Sequence, residues 1–330
     1  MNFVLNSEEL DKLQTYLYEN KWIGPDEEVI SAKKPGEGNM NYTLRIRTNF
    51  RTFIIKQSRD YVEKYPDIPA PRERAVTEGK FYETIQENEE LKSYTPEIGY
   101  IDEDNSVIAL EDLGESSDFS FLYKKDKEIE AEDLSQVLAF ISILHYNFRN
   151  DIGPSPIPNR AMRELNAEHI FHYPFMEDNG FDLNQVTLGL QEVAMTYKTD
   201  TVFKAKVEDL SKYYLQDGKT LLHGDYYPGS WLKTLEGVRI IDPEFCFYGP
   251  AEFDLSVCMA HLMMAEQSKE RQDQLNREYQ MGEDFSTELM QALTGVEIMR
   301  RLIGLAQLPL SLDLGQKEAL LKEAREMIMG

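Results

Sequence analysis

Leu221-Leu222-His223-Gly224-Asp225-Tyr226-Tyr227-Pro228-Gly229-Ser230 and, further on, Ile240-Ile241-Asp242-Pro243-Glu244-Phe245 are the stretches on which the reading of this chain turns. In each, an apolar run leads straight into carboxylates. A short buried strand holds a following carboxylate rigidly at the edge of a sheet. Two separated acidic sites suit phosphoryl transfer. Asp225 can accept the proton of a hydroxyl nucleophile, and Asp242 with Glu244 offers the hard oxygens that magnesium prefers. For Asp-Pro-Glu the bland alternative is a surface turn, but Ile240, Ile241 and Phe245 favour a buried setting. His223 reads as a packed residue that steadies the loop, because Asp225 already fills the role of base.

Upstream elements extend this pattern. Pro35-Gly36-Glu37-Gly38-Asn39-Met40-Asn41 is a glycine-rich turn between strand-like runs. Gly36 and Gly38 would let backbone N–H groups approach phosphates, and Asn39 and Asn41 add side-chain amides. Taken alone, the turn reads better as a hairpin loop without ligand. Lys56, inside Phe53-Ile54-Ile55-Lys56-Gln57, is either an edge-strand lysine facing water or a buried cation that needs a partner. Glu78 on the following helix is that partner in the second reading, with Glu73 and Glu83 on the solvated face. An apolar run then ends at Glu111-Asp112-Leu113. This order of parts matches an ATP-dependent kinase.

Strands are expected over 28–34, 41–48, 51–57, 97–102 and 106–112, with an irregular proline-bearing connection over 58–71. Helices are expected from Ser7, as N-cap, to about Glu19, and over 72–89. Beyond Leu113 the pattern turns helical: 131–149, 163–175, 183–215, and 252 to the end, interrupted by short β segments around 221–241. The predicted architecture is therefore α+β and two-lobed. A small antiparallel β lobe spans 1–112, a larger and mostly helical lobe spans 113–330 with the catalytic loop and metal site, and a ligand cleft lies between them.

Bulk composition narrows the partners. A formal charge of −24 over 330 residues argues against nucleic acid and against an anionic membrane surface. No apolar run is long enough to span a bilayer. Cys246 and Cys258, both in apolar surroundings, read as buried thiols in a reducing cytoplasm. The opening residues lack the basic start and apolar stretch of a secretion signal. A small molecule bearing a hydroxyl is the expected partner, and a homodimer stays open.

The segments Gly36-Glu37-Gly38-Asn39-Met40-Asn41, Ile55-Lys56-Gln57 with Tyr61-Val62 and Glu73-Arg74-Ala75, Leu110-Glu111-Asp112-Leu113, and Ile241 to Phe245 with Phe247-Tyr248-Gly249-Pro250 and Phe253-Asp254 resemble the aminoglycoside phosphotransferase and choline kinase superfamily. Within it the likeness is greatest to the 5-methylthioribose kinases. The resemblance implies a protein-kinase-like fold, ATP and Mg2+, and transfer of a phosphoryl group to a sugar-like hydroxyl. It places Lys56 on the phosphates, Glu78 on Lys56, and the adenine against backbone groups of Glu111 and Leu113. It also implies that Arg300 and Arg301, in Ile298-Met299-Arg300-Arg301-Leu302, neutralise charge developing in transfer; read without it, the pair would be a solvated helix face. Ser230 stands where the superfamily has a metal-binding asparagine, as the resembling kinases also do. Tyr226-Tyr227-Pro228 replaces the Leu-His-Thr usual in those kinases beside the acceptor. An aminoglycoside- or choline-type phosphotransferase is the enzymatic alternative, and a catalytically silent nucleotide-binding module is the non-enzymatic one.

Overall fold

The computed structural model describes residues 3–36 and 40–330, so Gly38 and Asn39 lie outside the described residues. The chain forms two compact units. The first comprises Met1–Ser116 with Arg239–Phe245, and the second Ser117–Val238 with Cys246–Gly330. The division at Leu113 thus falls near the first crossing. The segment carrying Asp242 and Glu244, however, packs with the first unit, whereas the linear division put the metal site in the second. A linear boundary cannot express a chain that returns to an earlier unit.

In the first unit, helix α1 (Leu10–Glu19) precedes strands β1 (Val29–Lys33), β2 (Tyr42–Thr48) and β3 (Thr52–Gln57). Then come β4 (Tyr61–Val62), β5 (Tyr65–Pro69), helices α2 (Arg74–Ile85) and α3 (Glu89–Lys92), and strands β6 (Ile98–Asp102) and β7 (Val107–Glu111). Five strands make one antiparallel sheet in the order β1-β2-β3-β7-β6. Alternation along the strands sorts its two faces. Leu44, Ile46, Phe53, Ile55, Val107 and Ala109 join Leu13, Leu17 and Trp22 in a core with α1. Lys56 follows Ile55, so it emerges on the opposite face, where α2 packs. There Gly79 allows close approach, since a Cβ would stand 2.7 Å from the Ile101 side chain and force it to shift. Two expectations fail locally. Residues 58–71 are not irregular, because β4 and β5 pair antiparallel. Ser7 does not cap α1; its backbone N–H and hydroxyl are tied to the Tyr42 hydroxyl, and the helix begins at Leu10.

The second unit begins with β8 (Ser117–Asp118), then α4 (Ala131–Asn147) and α5 (Arg160–Ala167), which runs into a π turn over Glu168–His172. Helices α6 (Leu190–Lys198) and α7 (Thr201–Tyr214) divide the single helix expected over 183–215. Asp200 causes the break: its carboxylate accepts from the N–H groups of Val202 and Phe203 and starts a new helix. Strands β9 (Thr220–Leu222), β10 (Trp231–Thr234), β11 (Gly237–Ile240) and β12 (Phe247–Gly249) carry the motifs. β9 pairs with β12, setting Leu222 opposite Phe247, and β10 pairs with β8. Helices α8 (Glu252–Met264), α9 (Lys269–Glu278), α10 (Thr287–Ile303) and α11 (Leu314–Met329) complete the unit. Every residue of α8 is buried. Cys246 and Cys258 are buried and are not joined in a disulfide. Among the described residues no helix is long and apolar enough to cross a membrane.

α10 crosses α11 closely at Gly295, where a Cβ would meet the Ala324 carbonyl oxygen at 2.5 Å. Gly295→Ala should therefore destabilise. The gain in helix propensity is about 1 kcal/mol, and forcing the two backbones apart costs more. A net loss of about 1–2 kcal/mol in denaturant unfolding is expected; a more stable variant would show that the crossing can relax.

Candidate functional site

In the first unit, the functional side chains gather around Lys56. β3 is an interior strand, so an edge position for Lys56 is excluded, and the residue is 7% exposed. Its ammonium donates to Glu78 Oε1 at 2.6 Å and is also bonded to Asp242. Burial works to lower the Lys56 pKa, but the Asp242 and Glu78 carboxylates outweigh it and hold the ammonium well above its ordinary range. Glu78 is fully buried on α2, while Glu73 and Glu83 are exposed. Asp242, just past β11, adopts a left-handed conformation with φ of 64°. Asp tolerates this region better than most residues, yet such positions cost energy and concentrate at functional sites. Its N–H donates to the buried Tyr82 hydroxyl.

Glu244 completes the cluster. It accepts from Asn41 Nδ2 at 3.0 Å and lies 3.6 Å from Arg74 Nε. Burial, reinforced by the charge of Glu78, pushes its carboxyl up to about 8, against the pull of Arg74. Three carboxylates thus surround two cations. The inner oxygen Glu78 Oε2 and the Asn41 carbonyl Oδ1 have no hydrogen-bond partner among the described residues. A divalent cation would supply the missing positive charge. No cluster of three or more metal-type side chains exists among the described residues. Magnesium typically takes one or two protein carboxylates, which Asp242 and Glu244 could offer, and completes its shell with phosphates and water. The residues fit the ion.

Arg74 was not singled out as a site residue. It is 1% exposed and donates to the carbonyls of Arg59, Pro71, Met40 and Tyr61, bracing the end of the glycine-rich turn. Gly36 is exposed with open space around it and no positive φ, so nothing in the described backbone demands glycine there. Glu111 closes β7, its carboxylate accepting from the Glu97 N–H, and half-buried Leu113 follows. Asp112 between them pairs with Arg45.

In the second unit, β9 delivers the catalytic loop. Gly224 has φ of 86°, a conformation glycine adopts freely. The N–H groups of His223 and Gly224 donate to the two oxygens of Asp254, at 2.7 and 2.9 Å. Asp254 is fully buried and also bonded to His145. The loop is thus clamped by a carboxylate from α8. Asp225 Oδ1 accepts from Arg301 Nη2 at 3.3 Å and lies 4.0 Å from Arg300 Nη1. Burial raises the Asp225 pKa, and the two arginines partly oppose this. Arg300 and Arg301 are 7% and 6% exposed, so the solvated-face reading of the pair is wrong. Glu297 on the same helix bonds both of them.

Ser230 is buried, and its hydroxyl donates to the Asp225 carbonyl at 2.9 Å, bracing the loop. Tyr226 and Trp231 are fully buried core, whereas half-buried Tyr227 lies under the Arg301 guanidinium. A cavity of about 540 Å³ in this unit is lined by His145, Tyr279, Arg149 and Glu252 among others, but not by Asp225, Arg300 or Arg301. Of the predicted residues, the fold brings Lys56, Glu78, Asn41, Asp242 and Glu244 together in one unit, and Asp225, Ser230, Arg300 and Arg301 in the other. Glu297 and Asp254 were missed as site residues. Glu297 was legible from its spacing, three and four residues before the arginines on a helix.

Removing the cation alone should be worse than removing the pair. Lys56→Met strands the Glu78 carboxylate in the interior at a cost of about 3–5 kcal/mol, and Lys56→Met with Glu78→Leu should recover much of this. Denaturant unfolding of both variants checks it; a double variant no more stable than the single would refute the pairing. A second test concerns His261, whose ring burial lowers its pKa from 6.5 to about 4. The unfolded chain binds the proton first, so the His261 contribution is complete above pH 6.5 and is lost as pH falls toward 4. The wild type should lose up to roughly 3 kcal/mol more than His261→Gln across that window; equal slopes would contradict a neutral buried ring.

The Phosphotransferase enzyme family matches residues 32–291 of this chain. Methylthioribose kinase 1 of Oryza sativa subsp. japonica is 27% identical over 256 residues, which cover 74% of this chain and 58% of that protein. The methylthioribose kinase of Exiguobacterium sibiricum is 27% identical over 249 residues, covering 72% and 62%. The match therefore spans about three fifths of these curated relatives. Choline kinase LicA from Streptococcus pneumoniae has a similar structure, with a TM-score of 0.56 at 12% identity, covering 98% of this chain and 99% of that one. The structure of a gentamicin–APH(2")-IIa complex gives 0.51 at 13% identity, covering 99% and 97%. At such identity the likeness establishes fold alone: α+β, two-lobed and protein-kinase-like. Because the family match runs through both units and both acidic motifs, this chain belongs to the phosphotransferase enzyme family.

Proposed function

We propose that the protein is a small-molecule kinase that transfers the γ-phosphoryl group of ATP to a hydroxyl of a sugar-like acceptor, of which methylthioribose is the leading candidate. The observation that carries this reading is Lys56, bonded at once to Glu78 and Asp242 with Glu244 alongside. A buried lysine among more carboxylates than it can neutralise is suited to a polyphosphate accompanied by a metal ion. Lys56 holds phosphate oxygens, Glu78 keeps Lys56 in place, and Asp242 with Glu244 holds magnesium. The ion supplies neutralising charge to the phosphates. Gly36 and Asn41 approach the phosphates, and backbone groups of Glu111 and Leu113 meet the adenine.

In the second unit Asp225 orients the acceptor hydroxyl and takes its proton as the bond to phosphorus forms. Its raised pKa makes it a better base than a free aspartate. Arg300 and Arg301 stabilise the charge that develops on the oxygens. The sugar acceptor rests on the methylthioribose kinase relatives and on the charges at Asp225. Its nearest charged neighbours are two arginines, and the nearby buried Glu297 is committed to both of them. Among the described residues, a constellation of two guanidinia whose other bonded carboxylate is Glu297 favours a neutral acceptor over choline or an aminoglycoside.

A phosphorylation panel with methylthioribose, ribose, an aminoglycoside and choline tests this, with ATP and magnesium present. Methylthioribose should turn over, and magnesium omission should stop the reaction. Asp225→Asn should cut kcat roughly a hundredfold to ten-thousandfold while ATP still binds. Preference for choline or the aminoglycoside would overturn the acceptor assignment. Tight ATP binding without turnover of any acceptor would instead identify a silent nucleotide-binding module.

A further inference from the structure

Arg300 and Arg301 are adjacent in sequence and both buried near one carboxylate, yet their surroundings differ. Arg301 is bonded on two sides. Its Nε donates to Glu297 Oε1 at 2.6 Å, its Nη2 donates to Asp225 Oδ1 at 3.3 Å, and its guanidinium lies 5.1 Å from the centre of the Tyr227 ring. Arg300 is held at one end, with Nη1 donating to Glu297 Oε2 at 3.0 Å. Its Nε is buried and has no hydrogen-bond partner among the described residues. One carboxylate therefore holds the two guanidinia separately, one on each oxygen.

Glu297 is itself tightly held. It is 2% exposed on α10, and its Oε1 also meets His261 Nε2 at 3.2 Å. His261 Nδ1 lies 2.6 Å from the Tyr123 hydroxyl. The ionised Glu297 carboxylate can only accept, so the proton of the neutral ring sits on Nε2 and points to Glu297, and Nδ1 accepts from the Tyr123 hydroxyl. Tyr123, His261 and Glu297 form a directed chain that ends on the arginines. Without the Glu297 carboxylate, two buried guanidinia would face Asp225 without the anion that now bonds both of them. Both would be drawn onto Asp225, leaving the base doubly paired.

We infer that Glu297 is a positioning residue for phosphoryl transfer, holding Arg301 against Asp225 while keeping Arg300 drawn back from it, with its charge left for an anionic oxygen. This rests on the kinase reading above. Glu297 touches neither nucleotide nor acceptor in this role; it acts through the two arginines. A solely structural Glu297 would affect the amount of folded protein and leave turnover per folded molecule unchanged.

Glu297→Gln and Glu297→Asp separate these roles. The first keeps the shape and removes the charge; the second keeps the charge and withdraws it by one methylene. With thermal unfolding used to count folded protein, kcat should fall roughly tenfold to a hundredfold in Glu297→Gln and by less in Glu297→Asp. The KM for ATP should stay within about twofold, since the proposed nucleotide-holding residues are in the other unit. Wild-type kcat per folded molecule in Glu297→Gln overturns the inference. Should that variant fail to fold, wild-type kcat in Glu297→Asp overturns it equally. A parallel rise in the KM for ATP would also count against it, by showing a general disturbance. A wild-type chain without turnover on any acceptor removes the kinase reading and this assignment with it, whereas a working wild type beside unaffected variants removes this assignment alone.

Discussion

Lys56 is a cation placed on the inner face of a sheet, where burial alone would strip its proton. It stays charged because Glu78 and Asp242 reach it from two other parts of the chain, a helix and a distant loop. The surrounding structure follows from that requirement. α2 must lie against the sheet face that carries Lys56, and close packing there depends on Gly79. The segment Arg239–Phe245 must return to the first unit, although the chain has by then built much of the second. Glu244 arrives with it and remains under-neutralised, and its elevated pKa expresses that imbalance. A protein selected for stability alone would gain little from three buried or half-buried carboxylates around two cations. The excess of negative charge is what the proposed magnesium ion would offset.

The second unit solves the opposite problem. Here two guanidinia crowd the carboxylate of Asp225, the proposed base, and the excess is positive until Glu297 is counted. The loop that carries Asp225 is clamped from behind by Asp254, which accepts from the successive N–H groups of His223 and Gly224. Charge-assisted bonds to backbone N–H groups are strong and directional. They fix the loop independently of whatever Asp225 binds. Ser230 closes the loop from the other end through the Asp225 carbonyl, so its hydroxyl contributes to geometry.

Much of this was readable in the linear chain. The strands of the five-stranded sheet, the apolar runs before each acidic motif, and the Lys56–Glu78 pairing follow from alternation, helix placement and the cost of an unpaired buried charge. Arg74 was harder to assign. Its environment consists of backbone carbonyls from Met40, Arg59, Tyr61 and Pro71, and carbonyls leave no mark in a residue sequence. The arginine pair on α10 was visible, but its burial was not, because charged residues on a helix ordinarily face water. The break at Asp200 shows the converse: a local capping bond overrode a continuous helical pattern.

The sequence by itself determined the alternation that puts Ile55 and Lys56 on opposite faces, the carboxylates that end buried strands, and the helical spacing of Glu297 with Arg300 and Arg301. These are local periodicities, and local geometry enforces them. Only the tertiary structure decided that Asp242 and Glu244 join the first unit, that Asp254 holds the catalytic loop, and that the two arginines have different partners. Each of these depends on contacts between residues far apart in the chain, whose meeting is set by packing the whole core.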